Sequence, residues 1–411
     1  MSKIMPFKAI RPRKDLVDKI AALPYDVYNR SEAKEVVAKN PISFLSIDRA
    51  ESLLPDEVST YDKIVYETAA KRMWDMVSDG SFVREEKSCY YVYELIMNGR
   101  SQTGIAACAS VDDYTDNVIK KHENTRAEKE KDRIDHVTAL NAQTGPIFLA
   151  YRRNEVISAL VDRIKAAEPL YAFTSEDGIT HRVWIIENDR DIEKIREAFE
   201  GIKDIYIADG HHRCASAVRV SENKRKADPG YRGDEEFNFF LSVLFPDDEL
   251  YIMDYNRVIK DLAGLSEEEF LSELEQIFDI NKSDGAVGPK KKGQMGLCLK
   301  DSGWYELNIK PEFKSEDPVE GLDVSLLQKY VLTPILGIED PKTDSRIDFV
   351  GGIRGLGELE RRTAGDCVAA FSMYPTDIHE LFAVADAGRL MPPKSTWFEP
   401  KLRSGIFIHE I

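Results

Sequence analysis

A mixed α/β (α+β) fold is what the sequence predicts, on three grounds. Apolar residues at helical spacing alternate with short β-rich runs along the whole chain. A strong hairpin signal joins two of those runs, and no internal repeat interrupts them. In order, Tyr61, Ile64, Val65, Thr68, Ala69, Met73, Trp74 and Val77 share one helix face, and Asp79-Gly80 supplies the stop. Extended runs at 89–96 and 103–110 flank Asn98-Gly99, a pair favoured in two-residue hairpin turns because both positions tolerate positive φ. Residues 146–151, 181–186, 205–208 and 238–245 read as short strands, with helices at 155–167 and 191–199 among them. Ser266 with Glu269 forms a capping box, opening a helix whose Phe270, Leu271, Leu274, Ile277 and Phe278 point one way. Residues 295–299 and 304–309 read as a hairpin, and Asp323 starts an apolar helix that Pro334 disrupts. A helix at 378–387 and a strand at 406–409 follow. The expected organisation is a core at 1–260, a smaller α+β subdomain at 261–345, and a Gly-, Pro- and base-rich segment at 346–411 that returns to the core site.

Composition restricts the function. The 411 residues are 43% hydrophobic and 31% charged, an ordinary globular balance, and 56 bases against 73 acids leave a net charge of −17. A surface so acidic argues against a nucleic-acid coat or an anionic-membrane binder, while leaving room for a local basic pocket. The five cysteines are scattered without a C-x-x-C pair, so neither a disulfide framework nor a zinc-finger spacing is expected. The basic start lacks the apolar stretch of a secretory signal, and no apolar run reaches the ~18 residues of a membrane span. A cytoplasmic protein acting on a small molecule is the expectation.

Positive charge gathers in three places. The sharpest is Asp209-Gly210-His211-His212-Arg213, which reads as a strand end, a tight turn and a helix start. Free N–H groups and the positive dipole end at a helix start attract anions. Gly210 removes the Cβ that blocks close approach, and Arg213 can fork onto phosphate oxygens. A capped helix with an exposed basic first turn is the structural alternative, but bases there oppose the dipole. The second place is His122-Glu123-Asn124-Thr125 followed by the mixed-charge stretch through Arg133. Such mixing ordinarily marks a solvated helix face, whereas His122 to Thr125 concentrates polar types typical of a site loop. The third is the proline-stiffened tail with Lys394, Ser395, Thr396, Lys401 and Arg403. Its Lys-Ser-Thr triplet lacks the glycines of a P-loop, and the glycine-rich stretch 351–357 fits no dinucleotide fingerprint. Asp26, in the turn Pro24-Tyr25-Asp26-Val27, is a further acidic candidate.

Taken together, Pro24-Tyr25-Asp26-Val27, His122-Glu123-Asn124-Thr125, Asp132-Arg133, Ala208 through Arg213, Tyr255-Asn256-Arg257-Val258 and residues 391–405 resemble the prokaryotic family filed as domain of unknown function 1015. Asp209 to Arg213 also resembles the phosphate-binding turn of the ParB/sulfiredoxin-like superfamily, which includes kinases for free serine. That resemblance implies a ParB/sulfiredoxin-like core elaborated with the α+β subdomain. It implies ATP or ADP bound with Mg²⁺, with Gly210, His211, His212 and Arg213 at the phosphates, and a carboxylate as proton acceptor, Glu123 first and Asp26 second. Phosphoryl transfer asks mainly for positioning and charge neutralisation. Arg133, Lys394, Lys401 and Arg403 are expected to add charge, His122, Thr125, Ser395 and Thr396 to add polar contacts, and Asp209 to orient a histidine or reach the metal's water shell. The function so implied is a kinase for a small hydroxylated metabolite, free L-serine favoured, giving O-phosphoserine. A ParB-like nucleotide-binding regulator and a metal-dependent hydrolase using His122, His211 and His212 stay open as other classes.

Overall fold

A nine-stranded mixed sheet organises the first of two units in this computed structural model, which describes residues 1–411. The first unit comprises residues 1–250 with 400–411, and the second comprises 251–399. The architecture is mixed α/β, as the sequence predicts. Across the large sheet the order is Ile119–Lys120, Ile205–Asp209, Ile147–Tyr151, Phe239–Pro246, Arg100–Ser110, Tyr90–Met97, Thr180–Ile186 and Tyr171–Thr174, with Ile4–Met5 added against Arg100–Ser110. Two pairings are parallel, Ile119–Lys120 with Ile205–Asp209 and Ile147–Tyr151 with Phe239–Pro246, and the rest are antiparallel. Asn98 and Gly99 take φ values of 52° and 79°, the left-handed pair that the hairpin turn needs.

One face of this sheet packs Ile105, Ala107, Ile147, Leu149, Ile205 and Ile207 against Cys214, Ala217 and Val218 of the helix His211–Ala227. A second cluster joins Phe44, Leu45 and Ile47 to Val65, Ala69, Met73 and Met76 of the helix Lys63–Ser78, capped by the Asp62 carboxylate on the N–H of Ile64 at 3.0 Å. The chain's last residues return to this unit. The N–H groups of Ala22 and Ser404 bond each other's carbonyls, as do those of Ile10 and Ile408, and His409–Glu410 pairs with Ala142–Gln143. No helix is long and apolar enough to cross a membrane.

The second unit is built on a six-stranded antiparallel sheet ordered Phe278–Ser283, Gly303–Ile309, Gln294–Leu299, Ala369–Ser372, Tyr255–Ile259 and Ile347–Gly351. Strands from 346–399 therefore share a sheet with those of 251–345, so the sequence-based division at 261 and 346 differs from the observed one. Its reason is long-range pairing, which local composition does not carry. The Ser266–Glu269 capping box is present, but the helix stops at Leu274 and Phe278 opens a strand instead. Gly351 permits the indole of Trp397 to lie on the strand, since a Cβ there would meet the ring at 2.8 Å.

Asp323, 7% exposed, accepts the N–H of Gly293 on both oxygens, at 3.0 and 2.9 Å. Burial pushes its carboxyl up to about 6 against the opposing pull of that N–H. The folded value lies above that of the unfolded chain, so its stabilising contribution is complete below about pH 4 and is lost as pH rises through 6, roughly 3 kcal/mol in all. Asp323→Asn keeps an acceptor for Gly293 and cannot ionise. It is expected to stabilise the protein by about 1–3 kcal/mol at pH 8 and to leave it unchanged at pH 4, measured by urea unfolding. An equal effect at both pH values would refute the assignment.

Candidate functional site

The turn between the strand Ile205–Asp209 and the helix His211–Ala227 is held rigidly because both flanks are anchored in the same apolar cluster. Gly210 sits at φ 95°, a left-handed conformation that side chains other than glycine rarely adopt. Its N–H donates to Asp209 Oδ1 at 2.9 Å, and its carbonyl accepts the N–H of Cys214 at 2.9 Å, closing the first turn. No side chain caps this helix and no acid occupies its first turn. Both omissions leave the positive dipole end unanswered by the helix itself.

Cations collect around Asp209. The Arg213 guanidinium lies over Gly210, where a Cβ would sit 3.1 Å from its Nε and Nη2. Arg213 Nη1 donates to the Pro146 carbonyl at 2.6 Å, and Nη2 lies 3.9 Å from Asp209 Oδ2. Lys401, carried back by the C-terminal segment, places Nζ 3.5 Å from the same oxygen. Burial opposes ionisation of Asp209, yet Lys401 and Arg213, with the Gly210 N–H, hold its carboxyl well below the usual range. Asp209 is thus a fixed anion that positions two cations at the helix start.

The histidines of the turn are neutral and face the 122–126 loop. His211 is buried and meets His122 edge-on, ring centroids 4.5 Å apart. The His122 N–H donates to His211 Nε2 at 3.5 Å, while His211 Nδ1 points to Glu123 Oε2 at 3.8 Å. Burial, reinforced for His211 by the neighbouring His122, drives His211 well below the ordinary histidine value and His122 down to about 4. His122 Nδ1 is buried without a hydrogen-bond partner. His212 accepts the Arg126 N–H on Nε2 at 3.0 Å. No group of three or more His, Cys, Asp or Glu side chains is arranged to hold a metal ion.

Arg213 also lines a pocket with Tyr25, Asp48, Arg133, Thr144, Gly145 and Ser404. Gly145 lets Arg213 and Ser404 close in, since its Cβ would lie 3.3 Å from Ser404 Oγ and 3.5 Å from Arg213 Nη1. Arg133 stacks its guanidinium 3.9 Å from the Tyr25 ring and is clamped by Asp132 at 2.9 and 2.8 Å. Tyr66 in turn donates its hydroxyl to Asp132 at 2.9 Å. A second pocket, about 160 Å³, shares the wall of Tyr25, Asp48, Arg133 and His136 and extends past Asp26 to Arg49 and Glu51.

The structure therefore brings Asp209, Gly210, His211, His212, Arg213, His122, Glu123 and Lys401 together, and connects Arg133 and Asp26 to them through the paired pockets. Three expected contacts turn out otherwise. Arg403, 3% exposed, is engaged by Asp177, by Ser175 Oγ at 2.9 Å and by His181 Nε2 at 3.3 Å, so its guanidinium is structural. Ser395 spends its hydroxyl on the Pro392 carbonyl at 2.7 Å. Thr125 donates to Glu130 at 3.1 Å beside the start of the helix Ala127–Leu140. Lys394 and Thr396 belong to the second unit, where the Lys394 carbonyl accepts from Arg257 at 3.0 Å and its ammonium lies 5.4 Å from the Tyr255 ring. Asp48, Arg49, Glu51 and Thr144 are pocket residues that sequence reasoning missed. The only signal was three charges, Asp48, Arg49 and Glu51, among apolar residues and serines.

Fold and site define a mixed α/β protein carrying a cationic, uncapped strand-to-helix turn. The chain belongs to the family described as Protein of unknown function (DUF1015), which matches residues 4–325. No curated protein matches it. Among solved structures it is similar to SbnI with a C-terminal truncation from Staphylococcus aureus, at 12% identity and TM-score 0.38, covering 72% of this chain and 82% of that one. It is also similar to a free serine kinase in complex with AMP, at 13% identity and TM-score 0.35, covering 75% and 87%. A third is a conserved hypothetical protein from Pyrococcus furiosus, at 14% identity and TM-score 0.35, covering 74% and 94%.

Proposed function

We propose that this protein is a nucleotide-dependent kinase that phosphorylates the hydroxyl of a small metabolite, with free L-serine the favoured acceptor and O-phosphoserine the product. The observation that carries the reading is the gathering of Arg213, Lys401 and an uncapped helix start around Asp209, with Arg133 on the wall of the same pocket as Arg213. L-serine is favoured because the turn resembles that of the free-serine kinases.

Bound ATP or ADP with Mg²⁺ supplies the phosphoryl group and part of the charge neutralisation. Mg²⁺ takes phosphate oxygens and several waters, and Asp209, whose oxygens already face the Gly210 N–H, Lys401 and Arg213, would reach it through a water of its shell. The N–H groups at the helix start and the Arg213 guanidinium hold phosphate oxygens, and Gly210 permits their close approach. Neutral His211 keeps Nδ1–H toward Glu123 and adds no positive charge that would neutralise the base. Glu123, or Asp26 from the second pocket, takes the proton of the acceptor hydroxyl as its oxygen bonds to the terminal phosphorus, and the phosphoanhydride bond breaks to release ADP from ATP or AMP from ADP.

Purified protein incubated with L-serine, Mg²⁺ and either ATP or ADP is expected to form O-phosphoserine, read by phosphorus NMR. Absence of turnover with L-serine and with a panel of small alcohols, while nucleotide still binds, would sink the kinase reading and favour the regulator.

A further inference from the structure

Buried polar atoms almost always find a hydrogen-bond partner, so a local concentration of exceptions marks a place built for something more than packing. Four such exceptions fall together: Arg49 Nε, Glu51 Oε1, Ser52 Oγ and Arg30 Nε. Arg30 already spends its two Nη groups on the carbonyls of Val58, Pro55 and Glu51, which fixes the segment in place. Arg49 and Glu51 both line the second pocket. Their charged atoms approach to 3.0 Å, close enough to attract, but neither completes a hydrogen bond. Glu51 is 2% exposed, and burial raises its carboxyl while Arg49 and Arg133 pull the other way. Keeping an acid there, so deeply desolvated, costs stability that a neutral residue would not.

The unmet bonds have a definite complement. Arg49 Nε–H lacks an acceptor and Glu51 Oε1 lacks a donor. A ligand that satisfies both carries an anionic acceptor and a hydrogen-bond donor within a few ångströms of each other. The wall that Arg49 and Glu51 share with the Arg213 pocket is Tyr25, Asp48, Arg133 and His136, and Arg133 is rigid because Asp132 and Tyr66 hold it. A small molecule seated on Arg49 and Glu51 is therefore next to the pocket assigned to phosphate.

We infer that the pocket between Arg49, Glu51 and Arg133 is the acceptor subsite and takes a small hydroxylated amino acid, its carboxylate toward Arg49 and its ammonium toward Glu51. The inference rests on the phosphoryl-transfer reading for the word acceptor. The binding site itself is independent of that reading.

The test uses calorimetric titration of the full chain with L-serine, lactate, ethanolamine and glycerol, and separately with ATP. L-serine is expected to bind saturably. Lactate, lacking the ammonium, and ethanolamine, lacking the carboxylate, are expected to bind roughly 10-fold more weakly or worse, and glycerol not at all. Glu51→Gln and Arg49→Gln are each expected to weaken L-serine about 10-fold or more while ATP affinity stays within about 2-fold. Circular dichroism melting shows whether each variant is folded, and Arg49→Lys, which keeps the charge and loses the Nε–H, replaces any that is not. Saturable L-serine binding sensitive to these residues, without ATP binding, supports the amino-acid site and overturns the kinase reading. ATP binding without L-serine binding, or L-serine binding indifferent to Glu51 and Arg49, overturns the subsite and leaves the kinase reading standing.

Discussion

Replacing Arg213 with Ala is expected to lower kcat/KM for phosphoryl transfer by about 100-fold or more, with a comparable loss if the reaction is run with ADP in place of ATP. Arg213 is the side chain of the cationic turn that also lines the first of the paired pockets, so no other residue of the turn is placed to replace it. Its own attachments are modest: one carbonyl bond to Pro146 and a 3.9 Å approach to Asp209. Loss of that charged carbonyl bond costs roughly 1.5–3 kcal/mol, below the total stability of a typical domain. Arg213→Lys keeps the charge and loses the planar fork, so it should recover only part of the activity. Gly210→Ala makes the same point without touching a charge. It forces a residue with a Cβ to φ 95° and sets that Cβ 3.1 Å from the guanidinium, so Arg213 is displaced. Its expected effect is a similar fall in kcat/KM plus a stability loss of about 1–2 kcal/mol. Nucleotide binding by Arg213→Ala at wild-type affinity, with unchanged turnover, would remove the turn from the site.

How far the site was legible depends on how local its logic is. The turn was readable because its parts are consecutive: an apolar strand, a glycine where φ must be positive, and bases where a structural helix would carry acids. The Asn98-Gly99 hairpin and the Ser266–Glu269 capping box were readable for the same reason. Arg403 was misread because its partners, Ser175, Asp177 and His181, lie more than two hundred residues away in sequence. Beside a Lys-Pro-rich tail, a buried structural arginine and a ligand-binding one have identical local sequence. Arg49 and Glu51 were missed for the converse reason. They occur among Leu45, Ile47 and Leu53, where the pattern reads as core, and only the unmet hydrogen bonds of the folded state distinguish them. The division of the chain was misplaced because the strand Ile347–Gly351 pairs with Tyr255–Ile259 across nearly a hundred residues, a register that composition does not encode.

Acid is expected to unfold this protein in the window from about pH 6 to pH 4, before most of its carboxylates titrate. The argument is one of proton linkage. Burial lowers His122 and His136 to about 4, His181 to about 3, and His211 well below the ordinary histidine value. Each folded value lies below that of the unfolded chain, so the contribution is complete above about pH 6.5 and is lost as pH falls toward the folded value. By pH 4, His122 and His181 have each lost roughly 3 kcal/mol, against a total stability on the order of 5–15 kcal/mol for a typical domain. The hydrogen bonds explain why the native state refuses the proton. His181 Nε2 accepts from Arg403 Nε at 3.3 Å, His211 Nε2 accepts from the His122 N–H, and His212 Nε2 accepts from the Arg126 N–H. A proton on any of these nitrogens would face another donor. Asp323 works in the opposite sense, gaining stability below pH 6, but it is one group against four. Circular dichroism at 25 °C is expected to show a cooperative transition with its midpoint between pH 6 and 4. His181→Gln, which cannot take a proton, should move that midpoint lower. A native signal persisting to pH 3.5 would mean that these histidines are not held neutral in solution.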